Sequence, residues 1–232
     1  MEALTPDAIA LALVWVAAFL FSATIHEAAH ATAALWLGDR TAYEGGQVTL
    51  NPWPHIQRAP VGMVVVPLVS ALIWKFAIGW ASAPYDPYWA QRHPRRAALM
   101  ALAGPVSNLL VAMVVGIVIK VGLVGGWLEI PPGFDYHLVV VAADPSLAAA
   151  GALLSVLFTL NILLFVFNLL PFPPLDGAAI LPLVMPESWA RAYQDFFHSQ
   201  PMFSLLGLIL AWRVLPHIFG PLLGTALFFL YL

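Results

Sequence analysis

The sequence has no cysteine and carries little charge. Without cysteine, disulfide bonds and thiolate metal ligands are both excluded. Only 9% of the 232 residues are charged, too few to cover the surface of a water-soluble domain of this size. The net charge of −3 argues against a nucleic-acid-binding protein. The chain is instead 62% hydrophobic with a mean hydropathy of +0.88, which indicates a protein whose surface mostly faces lipid.

Long polar stretches are also missing, so we expect a single membrane-embedded domain over residues 1–232. Five apolar stretches are long enough to be helices within a bilayer. They cover residues 8–37, 61–81, 97–124, 147–170 and 202–232. The last stretch is interrupted by Arg213 and Pro216, which leaves open a kinked span or two shorter pieces. The predicted fold is an all-α, multi-pass helical bundle.

Basic residues near the apolar stretches indicate the orientation of this bundle. Arginines lie in the intervals 38–60 and 82–96, so both intervals are predicted to be cytoplasmic. If residues 61–81 crossed the membrane, these two intervals would lie on opposite sides. Pro67, Lys75 and Gly79 interrupt this stretch and favour a re-entrant or hairpin segment over an ordinary span with a weak charge bias.

The interval 38–60 is polar and rich in turn-forming residues, with one strand-like piece. Gln47, Val48 and Thr49 form this piece together with Leu50, and we expect a short β element in the cytoplasmic loop. An exposed strand edge can bind an extended peptide through its backbone. The first three residues are therefore candidate substrate contacts.

Residues 26–30 read His-Glu-Ala-Ala-His, the H-E-x-x-H pattern. Positions i and i+4 of a helix share a face, about 6 Å apart along the axis, so His26 and His30 can bind one zinc ion. Glu27 follows the first ligand and can accept a proton from water at the metal. Ionisable side chains in an apolar helix are costly and usually functional, so chance is a weak explanation of the pattern.

A catalytic zinc site needs a third protein ligand, and Asp176 is the candidate. It follows a loop with three prolines, which end the preceding helix, and it precedes Gly177, which lets the chain turn close to a bound group. An irregular backbone at membrane depth is costly unless it lines a cavity. The alternative is a loop whose aspartate merely caps the next helical turn.

Three motifs now stand in a recognisable order along the chain. They are H-E-x-x-H in the first apolar helix, A-G-P-x-x-N at 103–108 and N-x-x-P-x-x-P-L-D-G at 168–177. Together they resemble the site-2 protease family, in its compact form without a PDZ or CBS domain. The resemblance implies a catalytic core of three helices, at about 8–38, 97–124 and 147–178, and says little about residues 38–96 or the C-terminal third.

The same resemblance implies roles for individual residues. His26, His30 and Asp176 correspond to the ligands of one zinc ion per chain, and Glu27 corresponds to the catalytic glutamate. Asn168 corresponds to an asparagine of the family that lies near the active site and donates to the substrate carbonyl or oxyanion.

Asn108, in the A-G-P-x-x-N motif, lies near the start of its helix and has two interpretations. It is either a buried asparagine that bridges helices or a direct participant in the site. The first is the more common use of asparagine inside a membrane bundle.

Membrane topology bears on the third zinc ligand independently of the motifs. If residues 61–81 form a hairpin, the helix 97–124 leaves the cytoplasmic side and the helix 147–170 returns to it. Asp176 then arrives at the end of the bundle where His26 and His30 lie. If 61–81 spanned a core of about 30 Å, the carboxylate would end on the opposite face. Zinc binding by these three residues therefore requires the hairpin.

The expected function is hydrolysis of peptide bonds in or near transmembrane segments of membrane proteins, as in regulated intramembrane proteolysis. We expect a multi-pass protein of the cell membrane, with its active site towards the cytoplasm. Its expected partners are a transmembrane protein substrate and the lipid bilayer; the sequence predicts no oligomeric state. Two alternatives remain. A membrane zinc transporter would not need a glutamate beside the first ligand, and the intact Glu27 argues against a catalytically silent scaffold that binds membrane proteins.

Overall fold

The computed structural model describes residues 5–199 and 202–232. Four of its helices are long and apolar enough to cross a membrane: α1 (Pro6–Leu37), α6 (Pro94–Val124), α7 (Ala148–Leu169, preceded by the 3-10 turn Pro145–Leu147) and α10 (Met202–Tyr231). The protein is therefore an all-α, multi-pass membrane protein, as predicted. The expected domain over 1–232 also includes residues 1–4, 200 and 201, which lie outside the described residues.

Shorter elements connect these spans. They are α2 (Thr41–Glu44), α3 (Pro52–Arg58), a π-helical turn (Val61–Val65) that continues into α4 (Val66–Trp74), α5 (Pro87–Arg92), α8 (Asp176–Ile180), the 3-10 turn Leu181–Leu183 and α9 (Glu187–Ser199). The ends of α1 illustrate how local sequence sets these bounds. Thr5 accepts a hydrogen bond from the N–H of Ala8 at the start, and Gly38 ends the helix at φ +105°.

The segment 61–81 is a hairpin whose two ends lie side by side. Its helical part, 61–74, is about 21 Å long at 1.5 Å per residue, which is too short for a core of about 30 Å. Lys75 ends this helix at φ +56°, and the N–H of Trp80 then donates to the carbonyl of Gly62 at 3.1 Å. The chain has thus returned to the point where the helix began. The predicted hairpin is confirmed.

The strand predicted at Gln47–Leu50 is wrong, because this segment forms bends. Its polar groups bond locally. The Gln47 amide donates to the carbonyl of Pro54 at 3.0 Å, and the Thr49 carbonyl accepts from His55 Nε2 at 3.0 Å. The β structure that the described residues contain lies elsewhere, in the 125–146 loop. There β1 (Leu128–Glu129) pairs antiparallel with β2 (Val141–Ala142), with Leu128 opposite Ala142.

The C-terminal stretch is one helix, so the alternative of two short pieces is wrong. Pro216 and Pro221 both lie inside α10. A proline removes one backbone hydrogen bond from a helix, and packing against neighbours offsets that loss. Here the buried face of α10, including Leu215 and Phe219, belongs to an apolar cluster shared with α6 and α7.

The three helices α1, α6 and α7 form the centre of the bundle. Their buried faces carry many small side chains, which let membrane helices approach closely. In α1 and α6 these are Ala12, Ala18, Ala23, Ala28, Ala31, Ala34, Ala97, Ala98, Ala101, Gly104 and Ala112. This close packing sets the geometry of the site described next.

Candidate metal centre and active site

Two histidines of α1 direct the same ring nitrogen towards one point. His26 and His30 are both buried, and their Nε2 atoms are 3.0 Å apart. The Nδ1–H of His26 donates to Asn108 Oδ1 at 2.6 Å, and the Nδ1–H of His30 donates to the carbonyl of Met100 at 2.8 Å. Because these oxygens can only accept, Nε2 of each neutral imidazole carries the lone pair. Both imidazoles are thereby oriented as metal ligands.

The carboxylate of Asp176 meets this pair of nitrogens. Its Oδ2 atom lies 3.1 Å from His26 Nε2 and 3.4 Å from His30 Nε2. Among the described residues this buried oxygen has no hydrogen-bond donor. With both imidazoles neutral, three lone-pair atoms from two distant parts of the sequence face one another, which is unfavourable unless a cation lies between them.

The donor set fits zinc. Ligands held at about 2.0–2.1 Å around a tetrahedral ion are separated by about 3.3 Å from one another. The separations of 3.0, 3.1 and 3.4 Å among the three ligand atoms are close to that value. Two histidines and one carboxylate also match catalytic zinc sites, which keep a fourth position open.

Asp176 reaches the histidines because the chain turns tightly after α7. A Cβ atom at Gly177 would lie 2.3 Å from the carbonyl oxygens of both Leu169 and Leu170. Only glycine allows α8 to begin this close to the end of α7. On the outer side, a Cβ atom at Gly207 would lie 2.0 Å from the carbonyl oxygen of Pro173, so α10 packs directly on the proline loop.

Gly104 brings the backbone of α6 against both imidazoles. A Cβ atom here would lie 2.3 Å from His30 Nε2 and 2.7 Å from His26 Cε1. No side chain larger than hydrogen fits without moving a ring. The glycine of the A-G-P motif is thus a geometric requirement of the site, which the sequence analysis did not identify.

A buried polar network holds Asn108 in place. The Asn108 amide donates to Asn161 Oδ1 at 2.9 Å, and the Asn161 amide donates to Ser22 Oγ at 2.9 Å. All three side chains are fully buried. The network joins α1, α6 and α7 directly behind His26. It places Asn108 as a bridge between helices that also contacts a metal-site histidine.

Asn161 and Ser22 were missed by sequence reasoning. The signal was present, because an amide side chain inside the 147–170 apolar stretch is costly unless it is paired. Asn161 lies outside the three motifs, however, and only the packing shows which partners it has.

Glu27 and Asn168 line the same cavity as the three candidate ligand residues. Glu27 is 6% exposed and Asn168 is half-buried. The cavity has a volume of about 1250 Å³ and its walls are mostly apolar. Besides the helices that carry the candidate ligands, the walls include the hairpin, the segment 78–85 and the face of α10 that carries Leu208, Trp212 and Arg213.

The three residues predicted as substrate contacts in the cytoplasmic loop lie elsewhere. Gln47 is buried, and Val48 and Thr49 are half-buried. None of the three lines the cavity. With the strand itself absent, the structure gives no support to an edge pairing at this segment.

Comparison with known proteins agrees with the geometry. The sequence model of peptidase family M50 matches residues 14–211. YwhC of Bacillus subtilis (strain 168), which is named as a candidate zinc metalloprotease, is 33% identical over 167 residues, covering 72% of this chain and 67% of YwhC.

Mycobacterial proteins named Rip2, also candidate zinc metalloproteases, are similar as well. The protein of Mycolicibacterium smegmatis is 29% identical over 177 residues and that of Mycobacterium tuberculosis (strain H37Rv) is 32% identical over 174. These matches cover 75% of this chain but 58% of each Rip2 protein, so the chain spans well under two thirds of their length. No solved structure matches the chain. The chain belongs to peptidase family M50, the site-2 protease family of zinc metalloproteases.

Proposed function

We propose that this protein is an intramembrane zinc metalloprotease that hydrolyses peptide bonds in or near transmembrane segments of membrane proteins. One observation carries the proposal. His26, His30 and Asp176 direct three ligand atoms, all within 4.8 Å of one another, into a cavity that also contains the carboxylate of Glu27. The helices that provide the histidines and build the cavity are candidate membrane spans.

His26, His30 and Asp176 would hold one zinc ion, which supplies Lewis-acid polarisation of a carbonyl and a water of lowered pKa. Glu27 follows His26 in the sequence and faces the same cavity, so it can accept the proton of the attacking water. It can then deliver that proton to the amine that leaves. Asn168 lies on the cavity wall, where its amide can donate to the substrate carbonyl as negative charge develops there.

The cavity suits a peptide that has left its helical conformation. In an intact transmembrane helix all carbonyls except those of the last turn are engaged in i→i−4 hydrogen bonds, so a scissile carbonyl inside the helix must first be released. The volume of about 1250 Å³ exceeds the range of about 300–1000 Å³ typical of small-molecule pockets. Cleavage should therefore favour the ends of substrate helices, or helical segments weakened by glycine, proline or asparagine.

Arginines at one end of the bundle support an active site towards the cytoplasm. Arg40 follows the C-terminal end of α1, Arg95 lies in the first turn of α6, and Arg96 donates to the carbonyl of Leu37 at 3.2 Å. Basic residues beside membrane spans mark the cytoplasmic side. His30 lies two turns of α1 from that end.

The test is cleavage of a membrane substrate by purified protein in lipid vesicles. We expect zinc-dependent cleavage by the wild type and a loss of about 10²–10⁴-fold in Glu27→Gln, because the proton acceptor is removed. Zinc content should remain near one ion per chain in this variant. Cleavage by Glu27→Gln at the wild-type rate would refute the protease mechanism, and zinc uptake into vesicles that survives the substitution would favour the transporter.

A further inference from the structure

Arg213 is a charged side chain in an apolar helix and belongs to no interaction described so far. It lies within α10, a helix long and apolar enough to span the membrane. A charged residue within a span is costly and rare, and it usually faces a cavity and pairs with an opposite charge. Arg213 does line the cavity that contains the candidate metal centre.

The guanidinium of Arg213 has no partner among the described residues. The acidic side chains that line the cavity are Glu27 and Asp176, and neither lies within 4.0 Å of it. Lys120 of α6 offers a contrast, because its Nζ donates to the carbonyl of Leu230 at 3.3 Å. Lys120 is thus satisfied within the fold, and Arg213 is not.

The position of Arg213 along α10 relates it to the chemistry. The ring of the preceding residue, Trp212, packs edge-on against Phe167 with centroids 6.4 Å apart. Phe167 immediately precedes Asn168, the proposed donor to the substrate carbonyl. Arg213 and Asn168 are thus each next in sequence to one member of this ring pair, and both line the cavity.

We propose that Arg213 is a substrate subsite that binds a carboxylate of the peptide near the scissile bond. This proposal rests on the proposed protease function. The carboxylate belongs either to an acidic side chain or to the C-terminus of the peptide. Arg213 is exposed on the cavity wall, and its planar guanidinium can bind a carboxylate through two parallel hydrogen bonds, which are stronger than neutral ones because they are charge-assisted. The occupant also neutralises the one cation among the described cavity-lining residues.

The experiment uses synthetic transmembrane peptides of about 20 apolar residues with a central Asn-Pro break. One set is amidated and carries Glu, Gln or Lys at successive positions around the break. A second set carries no charged side chain and ends, near the break, in a free carboxylate or an amide. Cleavage is measured in vesicles of neutral lipid, and binding is measured by fluorescence anisotropy with the Glu27→Gln variant, which retains the subsite.

We expect at least one carboxylate peptide to have a kcat/KM about tenfold or more above its neutral counterpart, mainly through a lower KM. A preference for internal Glu identifies an acidic side chain as the occupant, and a preference for the free C-terminus identifies the terminal carboxylate. In Arg213→Gln the preference should disappear, in Arg213→Lys it should persist but weaken because the second parallel hydrogen bond is lost, and in Arg213→Glu it should turn towards the Lys peptides. Lys120→Gln is the matched control, with the wild-type preference retained.

Equal cleavage of charged and neutral peptides by the wild type would overturn the subsite while leaving the protease function intact. A preference that persists in Arg213→Gln would also overturn it, as would an effect of Arg213 that appears only with anionic lipid. If the wild type cleaves no peptide, the proposed function fails. Binding to the Glu27→Gln variant then decides the subsite separately. Zinc content near one ion per chain in each Arg213 variant shows that a change reflects the subsite and not loss of the fold.

Discussion

The two sides of the cavity are built in opposite ways. On the metal side, formed by α1, α6 and α7, His26 and His30 are each held by a hydrogen bond and Asn108 is fully buried. On the outer side, formed by the hairpin and α10, Trp74 and Trp212 are more than half exposed. The comparison indicates that the two sides have different roles. The inner side fixes the reacting groups, and the outer side admits substrates of variable shape.

The largest loss of zinc affinity and of cleavage should come from adding a methyl group at Gly104, where the backbone of α6 lies against the imidazoles. In Gly104→Ala the new methyl group would lie 2.3 Å from His30 Nε2, so a ring must move and its metal-binding lone pair moves with it. We expect zinc affinity and cleavage each to fall by at least about 100-fold, since misplacement of a ligand by about 1 Å has effects of this size. Zinc content and cleavage of a membrane substrate measure the result.

Gly116→Ala is the matched control for this change. It lies on the same helix, but its methyl group would meet the edge of Phe158 at 3.1 Å, which a small ring movement relieves. Both changes should raise helix propensity by about the same amount, up to about 1 kcal/mol. If Gly104→Ala and Gly116→Ala behave alike, the tight packing of α6 on the imidazoles is not what positions the metal.

The next effect should come from the hydrogen bond behind His26. Asn108→Ala removes the acceptor of the His26 Nδ1–H, so the ring can rotate and its tautomer is no longer fixed. Loss of such a partner typically lowers metal affinity by about 10–100-fold. A zinc titration measures the effect. Ser107→Ala, whose hydroxyl bonds within its own helix to Gly104, should bind zinc like the wild type, and a matching loss there would contradict the assignment.

This inner side also shows where sequence reasoning succeeds and where it ends. The H-E-x-x-H spacing and the proline-rich loop predicted His26, His30 and Asp176 as candidate ligands, and the structure brings these three residues together beside Glu27. The charge pattern predicted the hairpin, which is confirmed. These are properties of local periodicity and of bilayer thickness. The contacts of Gly104, Asn161 and Ser22 depend on which helix faces meet, and no local pattern encodes that.

The strand that was wrongly predicted at Gln47–Leu50 has a different explanation, which is local. Alternation of residue types is a weak signal over four residues, and a strand forms only when another strand satisfies its backbone. Here side chains and carbonyls of the same loop do so, as with His55 and Thr49. Local bonding thus replaced the expected pairing.

A smaller loss of zinc affinity is expected from a change at Asn161, which contacts Asn108. Asn161→Ala removes the acceptor for the Asn108 amide but leaves the bond from His26 intact, so zinc affinity should fall by less than about tenfold. In a double-mutant cycle, the change should have little further effect once Asn108 is alanine. Additive losses would mean that the two asparagines act independently and that the network is not a unit.

The smallest effect on the metal should come from the outer side. Trp212→Leu removes part of the exposed wall and its ring contact with Phe167, so the substrate loses apolar contact area while the ligands stay in place. We expect zinc content to be unchanged and KM to rise by about threefold to tenfold, with kcat nearly constant, because the lost contacts bind substrate and transition state alike. Trp127→Leu, an exposed tryptophan outside the cavity, should leave KM unchanged. A fall in zinc content in Trp212→Leu would mean that the outer wall also supports the metal side, and the division between the two would not hold.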